Sequence, residues 1–148
     1  MTTNATIEDT IRAELDLDPR IPDDDEIALS FDAGGVTLRG TVGSFRQRRA
    51  AVDDTRKVSG VYDVYDELEV RLLNDSRRED ADIRGIALQI LMWDAEVPSE
   101  AIDVDVHDGW ITLKGDVPFQ FQSDDAFDDV AGLLGVVGVT NEIRVNTP

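Results

Sequence analysis

The chain lacks cysteine, contains one histidine and has only two lysines among its 14 basic residues. Without cysteine it forms neither disulfides nor thiolate-ligated metal sites, and a cysteine nucleophile is excluded. No apolar run approaches the roughly 18 residues that a membrane-spanning helix needs. The start of the chain has neither the basic segment nor the apolar stretch of an export signal. We therefore expect a cytoplasmic protein without membrane spans.

Positive charge is scarce, because 32 acidic residues face 14 basic ones and leave a net charge of −18 at pH 7. Nucleic acids and anionic membrane surfaces are bound by clustered Lys and Arg, so this surface disfavours both. One interpretation of the acidic excess is solubility. Another is a halophilic source, because near-molar salt shortens the Debye length to about 3 Å and makes self-repulsion tolerable. The abundance of Asp over Glu and the scarcity of Lys favour the second.

An internal repeat with a period of 75 residues is the strongest positive signal in the chain. Ile27–Val70 aligns without a gap on Ile102–Val145. Identical pairs include Gly34/Gly109, Thr37/Thr112, Leu38/Leu113, Gly40/Gly115, Asp54/Asp129, Gly60/Gly135 and Glu67/Glu142. The period is longer than a solenoid repeat and suits two complete small domains. We place them at residues 1–74 and 75–148, with the joint at Asn74 and Asp75.

Each copy is predicted to open with an amphipathic helix. In the first copy, Ile7, Ile11 and Leu15 recur every four residues and share one helical face. In the second copy, Ser76 followed by Glu79 has the spacing of a capping box at a helix start. The expected buried stripe of that helix consists of Ile83, Ile86, Ala87, Ile90 and Leu91.

A hairpin, a second helix and a last strand complete each copy. Strict alternation of apolar and polar residues predicts strands, and the hairpin turns are expected at Gly34-Gly35 and Asp108-Gly109. Ser44 with Gln47 forms a second capping box before the next helix. Last strands are expected at Val61–Val70 and Val136–Val145. The sequence therefore predicts an α+β protein of two tandem αββαβ modules.

The repeated motif resembles the BON domain, a family named for bacterial OsmY and nodulation proteins. The resemblance rests on a Gly turn, a strand, a helix and a last strand, seen in Gly34, Val36–Val42 and Gly60–Val70. The second copy repeats these features in Gly109, Ile111–Val117 and Gly135–Val145. The resemblance implies that each module is a small mixed three-stranded sheet packed on two helices. It also implies roles in osmotic and envelope stress, and binding of phospholipids or other ligands without catalysis.

Catalytic and metal-binding chemistry is poorly supported by the residues. His107 is the only histidine, and no motif places a serine beside it, so we interpret it as a solvated strand residue. Asp103, Asp105 and His107 project from one face of a strand and could hold a divalent metal. The run departs from a calcium-binding EF-hand loop, because Asp108 replaces the required Gly and Lys114 the terminal Glu. We predict no enzyme activity, no cofactor and no metal.

Two groups of residues are candidates for binding. Arg46, Arg48 and Arg49, with Arg56 and Lys57, form the only concentrated basic patch, where the second copy has several aspartates. This patch is either a solvated helix face, a surface that docks electrostatically between copies, or a contact for an anionic partner. Phe119 and Phe121 in the connection before the last helix, and Trp110 after the turn, either pack locally or form an apolar interface.

The sequence thus predicts a non-enzymatic interaction protein associated with osmotic or general stress. It is expected to act by self-association or through a protein partner. The alternative is a module that binds a small ligand or a phospholipid head group, which the acidic charge disfavours.

Overall fold

The computed structural model of the chain describes residues 4–22, 26–72 and 77–146. The chain divides into two compact units, Met1–Arg71 and Leu72–Pro148. The first unit contains α1 (Asn4–Leu17), β1 (Ile27–Asp32), β2 (Gly35–Val42), α2 (Phe45–Arg56) and β3 (Asp63–Val70). The second unit contains α3 (Asp80–Trp93), β4 (Ile102–His107), β5 (Trp110–Val117), α4 (Gln120–Ala131) and β6 (Gly138–Val145), with a short 3₁₀ turn at Ser99–Ala101.

Both units have the predicted mixed sheet. The first sheet has the order β1-β2-β3, with β1 antiparallel and β3 parallel to the central strand. The second sheet repeats this arrangement as β4-β5-β6. In each unit the two helices contact the sheet and each other. The α+β fold of two repeated modules is therefore confirmed.

The core of the first module lies between one face of its sheet and the two helices. Val36 and Leu38 are fully buried on β2, whereas Arg39, the next residue along the strand, is exposed. The helix α1 contributes Ile11 and Leu15 at the predicted spacing. Full burial of a side chain of this size contributes roughly 1.5–3 kcal/mol, so the loss of any one of these residues removes a large part of the small net stability of a domain.

In α3 the buried stripe is narrower than predicted. Ile83, Ala87 and Leu91 are buried at a spacing of four residues. Ile86 is 47% exposed and Ile90 half-buried, so the prediction that both belong to the buried stripe is wrong for Ile86. Only one face of α3 meets the sheet and α4. Ile86 lies about 100° around the helix axis from the buried Ala87 and therefore points away from that face.

The predicted caps and turns need two adjustments. Ser76, Asn74 and Asp75 lie outside the described residues, and Glu79 at the N-cap of α3 makes no side-chain cap hydrogen bond. The first hairpin turns at Ala33 and Gly34, both with positive φ, and Gly35 is already the first residue of β2. Asp108 and Gly109 turn the second hairpin as predicted. Both turns thus use two residues of positive φ, which suits the twist of a tight hairpin.

The glycine shared by the two strand motifs has a steric role. Gly40 and Gly115 have positive φ values of 124° and 145°. A Cβ atom at either residue would overlap the backbone carbonyl oxygen of the residue before the first strand, Glu26 in one module and Ala101 in the other. Only glycine lets the central strand approach its neighbour this closely.

Candidate interaction surface

The basic surface begins at the start of α2, whose position is set by a cap. The Ser44 hydroxyl accepts the Gln47 N–H at 3.1 Å, as the capping box predicts. The Gln47 side chain reaches back to the N–H of Gly43, at 2.8 Å, rather than to that of Ser44. The two bonds satisfy free donors at the helix start and fix which residues of the first turn point outward.

The three arginines in the first half of α2 differ in their surroundings. The Arg48 guanidinium donates to Asp66 on β3, with Nε 2.9 Å from Oδ2, so it joins the helix to the sheet of its own module. Arg49 is half-buried. Arg46 is exposed and borders a shallow surface depression that also includes Arg20, Ser44 and Gln47. Arg46 therefore presents a positive charge to solvent at the corner where α2 begins.

The corresponding corner of the second module carries an aromatic pair. The rings of Phe119 and Phe121 stack with centroids 5.8 Å apart and planes inclined by 16°. The two side chains are 49% and 47% exposed. Phe119 is the N-cap of α4 and Phe121 lies in its first turn, so Gln120 to Gln122 belong to the helix rather than to the connection before it. The stacked pair forms an apolar patch at the start of α4.

The repeat places the two corners at equivalent positions. With the offset of 75 residues, Arg46 corresponds to Phe121 and Arg49 to Asp124, which is exposed and accepts a hydrogen bond from Gln120. One module thus offers an exposed cation, Arg46, where the other offers aromatic rings and a carboxylate. These surfaces are complementary, because a guanidinium is attracted both to an aromatic face and to a carboxylate.

Trp110 has contacts within its own sheet. It begins β5 on the face of the sheet opposite the core, and its ring covers Gly138 on β6, where a Cβ atom would overlap the indole. Its Nε1 donates to Thr140 Oγ1 at 2.7 Å. Trp110 remains 41% exposed. The structure therefore gives this residue a packing role in the sheet, and its role in binding stays a prediction.

The sequence reasoning missed an exposed apolar face on α3. Ile86, Met92 and Trp93 are exposed there, Trp93 to 69%. The helices α1 and α3 are both 14 residues long, and at an offset of 76 residues Ile86 occupies the position of Thr10. A signal was present, because Gly85–Trp93 contains no charged residue in a chain where 31% are charged. Among the described residues, no helix is long and apolar enough to cross a membrane.

In the part of the chain that the structure describes, one group of side chains is close enough to hold a metal ion. It consists of Asp80, His107 and Asp108, whose potential ligand atoms lie within 4.8 Å of one another. Asp103 and Asp105, which share a strand face with His107 in the sequence pattern, are not part of this group. The carboxylate oxygens of Asp80 accept the N–H groups of Asp108 and Gly109 at 2.9 and 3.0 Å, and these bonds lower the pKa of Asp80. Asp80 is therefore explained as the residue that ties α3 to the β4–β5 turn.

The repeated αββαβ module, with its glycine-containing central strand and exposed helix starts, defines a tandem pair of small α+β domains. The chain belongs to the BON-domain family. The BON domain model matches residues 3–71 and again residues 79–147. The resemblance inferred from the repeated motif is therefore confirmed.

A relative with a related sequence is the osmotically-inducible protein Y of Escherichia coli (strain K12). It is 33% identical over 128 residues, which cover 80% of this chain and 61% of the relative. The chain thus spans about three-fifths of the length of that relative.

The solved structures that match the chain are more distant from it. The C-terminal domain of CdsD, a structural protein of the type III secretion system of Chlamydia trachomatis, covers 98% of this chain and 100% of its own. Its TM-score is 0.40 at 10% identity. A second structure of CdsD covers 96% of this chain and 93% of its own, with a TM-score of 0.35 and 11% identity. Similarity at this level carries no functional argument.

Proposed function

We propose that the protein is a non-enzymatic interaction protein of the osmotic or general stress response that associates with a second copy of itself. The contact joins the start of α2 in one copy to the start of α4 in the other. The observation that carries the proposal is the opposite chemistry of two equivalent corners, with Arg46 in one module and the Phe119–Phe121 stack in the other.

The strength of such a contact follows from its parts. A guanidinium over an exposed aromatic ring is worth about 0.5–1 kcal/mol. An exposed ion pair with Asp124 adds at most about 1 kcal/mol. A symmetric pair of chains makes each contact twice, since each copy offers both corners. The association is therefore weak, and it depends on several contacts acting together.

The net charge of −18 makes this association sensitive to salt. Two such chains repel each other in dilute solution, and screening removes most of that repulsion at high ionic strength. The cation–aromatic contact acts over a shorter range than this repulsion, so salt weakens it less. A copy–copy contact that strengthens as salt rises suits a role in osmotic stress. Membership of the BON family and the name of the E. coli relative support the same role.

The decisive experiment changes one residue in each of the two corners and measures self-association. Arg46→Glu removes the cation and Phe121→Ser disrupts the stack, and we expect each variant alone to weaken self-association by about tenfold in sedimentation equilibrium at moderate salt. An equimolar mixture of the two variants restores one of the two contacts, because the Arg46→Glu chain keeps its phenylalanines and the Phe121→Ser chain keeps Arg46. The mixture is therefore expected to associate more strongly than either variant.

Two controls complete the design. Arg56→Glu makes the same change of charge at the other end of α2 and should weaken association much less than Arg46→Glu does. Circular dichroism should show that every variant is folded. A monomeric wild type, or a mixture no better than its components, would refute the proposal. Wild-type chain that is captured by another protein, and not by itself, would assign these corners to a different partner.

A second candidate is binding of a small anionic ligand or a phospholipid head group. It is favoured by the depression beside Arg46, which is also lined by Arg20 and Ser44. The acidic net charge opposes approach to an anionic membrane. Flotation with neutral and anionic vesicles tests this candidate, and co-flotation that Arg46→Glu abolishes would favour it over self-association.

A further inference from the structure

A contact between two carboxyl groups recurs in both modules. In the first, Asp54 on α2 is hydrogen bonded to Asp18 in the segment after α1. In the second, Asp129 on α4 is hydrogen bonded to Asp94 in the segment after α3. Asp54 and Asp129 are one repeat apart. The contact therefore belongs to the module rather than to one accidental surface.

Each contact requires a proton. An ionised carboxylate only accepts hydrogen bonds, so two of them repel unless one is protonated. Among the described residues, Oδ2 of Asp54 and Oδ2 of Asp129 are buried side-chain atoms that meet no hydrogen-bond donor. A protonated carboxyl group donates a hydrogen bond, and the carboxylate of the other aspartate in the pair is an acceptor. The geometry thus assigns the proton to the aspartate on the helix.

In the first module the surroundings of the two carboxyl groups explain this assignment. Asp18 accepts the backbone N–H of Arg20 at 2.9 Å and its guanidinium at 2.7 Å. These bonds hold the pKa of Asp18 well below its ordinary value. Asp54 is only 6% exposed, and its burial, with Asp18 beside it, raises its pKa to about 7. Two cations lower the pKa of Asp54 in part: Arg20, whose Nη2 lies 3.5 Å from Oδ1 of Asp54, and Lys57, which follows α2.

The second module keeps the pair without the arginine. Asp94 accepts the N–H of Glu96 at 3.0 Å, and the hydrogen bond with Asp129 contributes most to lowering its pKa. Burial, then Asp94, then Asp125 and Asp128 on the same helix raise the pKa of Asp129 to about 7. At the offset of 76 residues that relates α1 to α3, Glu96 stands where the first module has Arg20. The second pair therefore has an acidic residue where the first pair has its arginine.

The segment that each pair holds also contributes to the core. Ile21 and Val97, three residues after Asp18 and Asp94, are both buried. We infer that the two carboxyl pairs are proton-binding sites that clamp the segment after the first helix onto the second helix of each module. Loss of the proton leaves two negative charges in contact and loosens that segment.

The pH range of the effect follows from the direction of the shifts. Asp54 and Asp129 have pKa values raised from 3.8 to about 7 in the folded protein. The folded state therefore binds more protons than the unfolded chain between these values, and stability falls as pH rises from about 4 to about 7. Asp18 and Asp94, whose pKa values are lowered, contribute stability that is lost only as pH falls below about 4.

Thermal melts from pH 5 to pH 8 at constant salt test the inference. We expect the wild-type Tm to fall by about 5 °C or more over this range, which corresponds to about one kcal/mol for a module of this size. Asp54→Asn with Asp129→Asn should flatten the profile, because an amide donates the same hydrogen bond without titrating. Asp63→Asn with Asp103→Asn is the matched control, since it removes one exposed strand carboxylate from each module, away from either pair, and should keep the slope.

The comparison between the two double variants carries the result. Equal slopes in the Asp54/Asp129 variant and the wild type would overturn the inference. A second measurement adds millimolar Ca²⁺ or Mg²⁺ at pH 8. No change in Tm supports a site for a proton alone, whereas a rise that Asp129→Asn abolishes would show that the pair holds a metal ion and would also overturn it.

Discussion

Trp110 lies across Gly138 on the neighbouring strand, and the first module contains the same kind of contact with the strands exchanged. There Tyr65 on β3 covers Gly35 on β2. Gly35 is the residue of the first module that corresponds to Trp110 in the second. A glycine in a strand leaves a gap on the sheet surface, and an aromatic ring from the adjacent strand fills it. The modules therefore preserve the contact while exchanging which strand supplies the ring.

Gly138→Ala is expected to destabilise the second module by about 1 kcal/mol. The new Cβ would overlap the indole, so the ring must swing away and give up the Nε1 hydrogen bond to Thr140. Denaturant unfolding followed by tryptophan emission measures both effects. Gly85→Ala on α3 is the control, because nothing lies within 4 Å of its Cβ and alanine should stabilise the helix by about 0.5–1 kcal/mol. Equal stability of Gly138→Ala and wild type would contradict this packing.

Two isoleucines of α3 should respond differently to truncation. Ile83 is buried against the core, whereas Ile86 is nearly half exposed. Ile83→Ala is therefore expected to cost about 2–4 kcal/mol of the free energy of unfolding, and Ile86→Ala less than about 1 kcal/mol. Urea titrations of the two variants decide the orientation of the helix. Comparable losses would mean that Ile86 is buried, as the sequence pattern alone indicated.

Substitutions of Arg48 and Arg46 should differ in their effect on the free energy of unfolding. Arg48 is paired with Asp66, and both side chains are about a quarter exposed. A double-mutant cycle with Arg48→Gln and Asp66→Asn should give a coupling of about 0.5–1 kcal/mol in chemical unfolding. Arg46→Gln, two positions earlier on the same helix, should leave stability unchanged. No coupling between Arg48 and Asp66 would indicate that solvent competes fully for both groups.

Stability should rise with salt if the acidic surface is a high-salt adaptation. The net charge of −18 opposes the compact state in dilute buffer, and molar KCl screens that repulsion. Thermal melts in dilute buffer and in molar KCl at one pH provide the measurement, and the expected result is a clearly higher Tm in KCl. Equal Tm values would leave solubility as the explanation for the acidic composition.

Much of the fold could be predicted because its signals are local or repeated. Strict alternation predicted the strands, and the glycine of the Asp108-Gly109 turn predicted the second hairpin. In the first module, the turn is one residue earlier than predicted, because Ala33 adopts a positive φ that its residue type does not indicate. The candidate corner was found from charge and aromatic content, but not its division into an exposed Arg46 and a paired Arg48.

The sequence by itself determined that there are two modules, the order of their elements and the glycine that the central strand requires. These properties follow from periodicity, backbone preferences and self-similarity, all of which act within a short stretch of chain. Only the tertiary structure decided which face of α3 is buried, that Arg48 meets Asp66, and that Asp54 and Asp129 each meet a second carboxyl group. Burial and proton binding depend on residues distant in sequence, because folding alone brings them into contact.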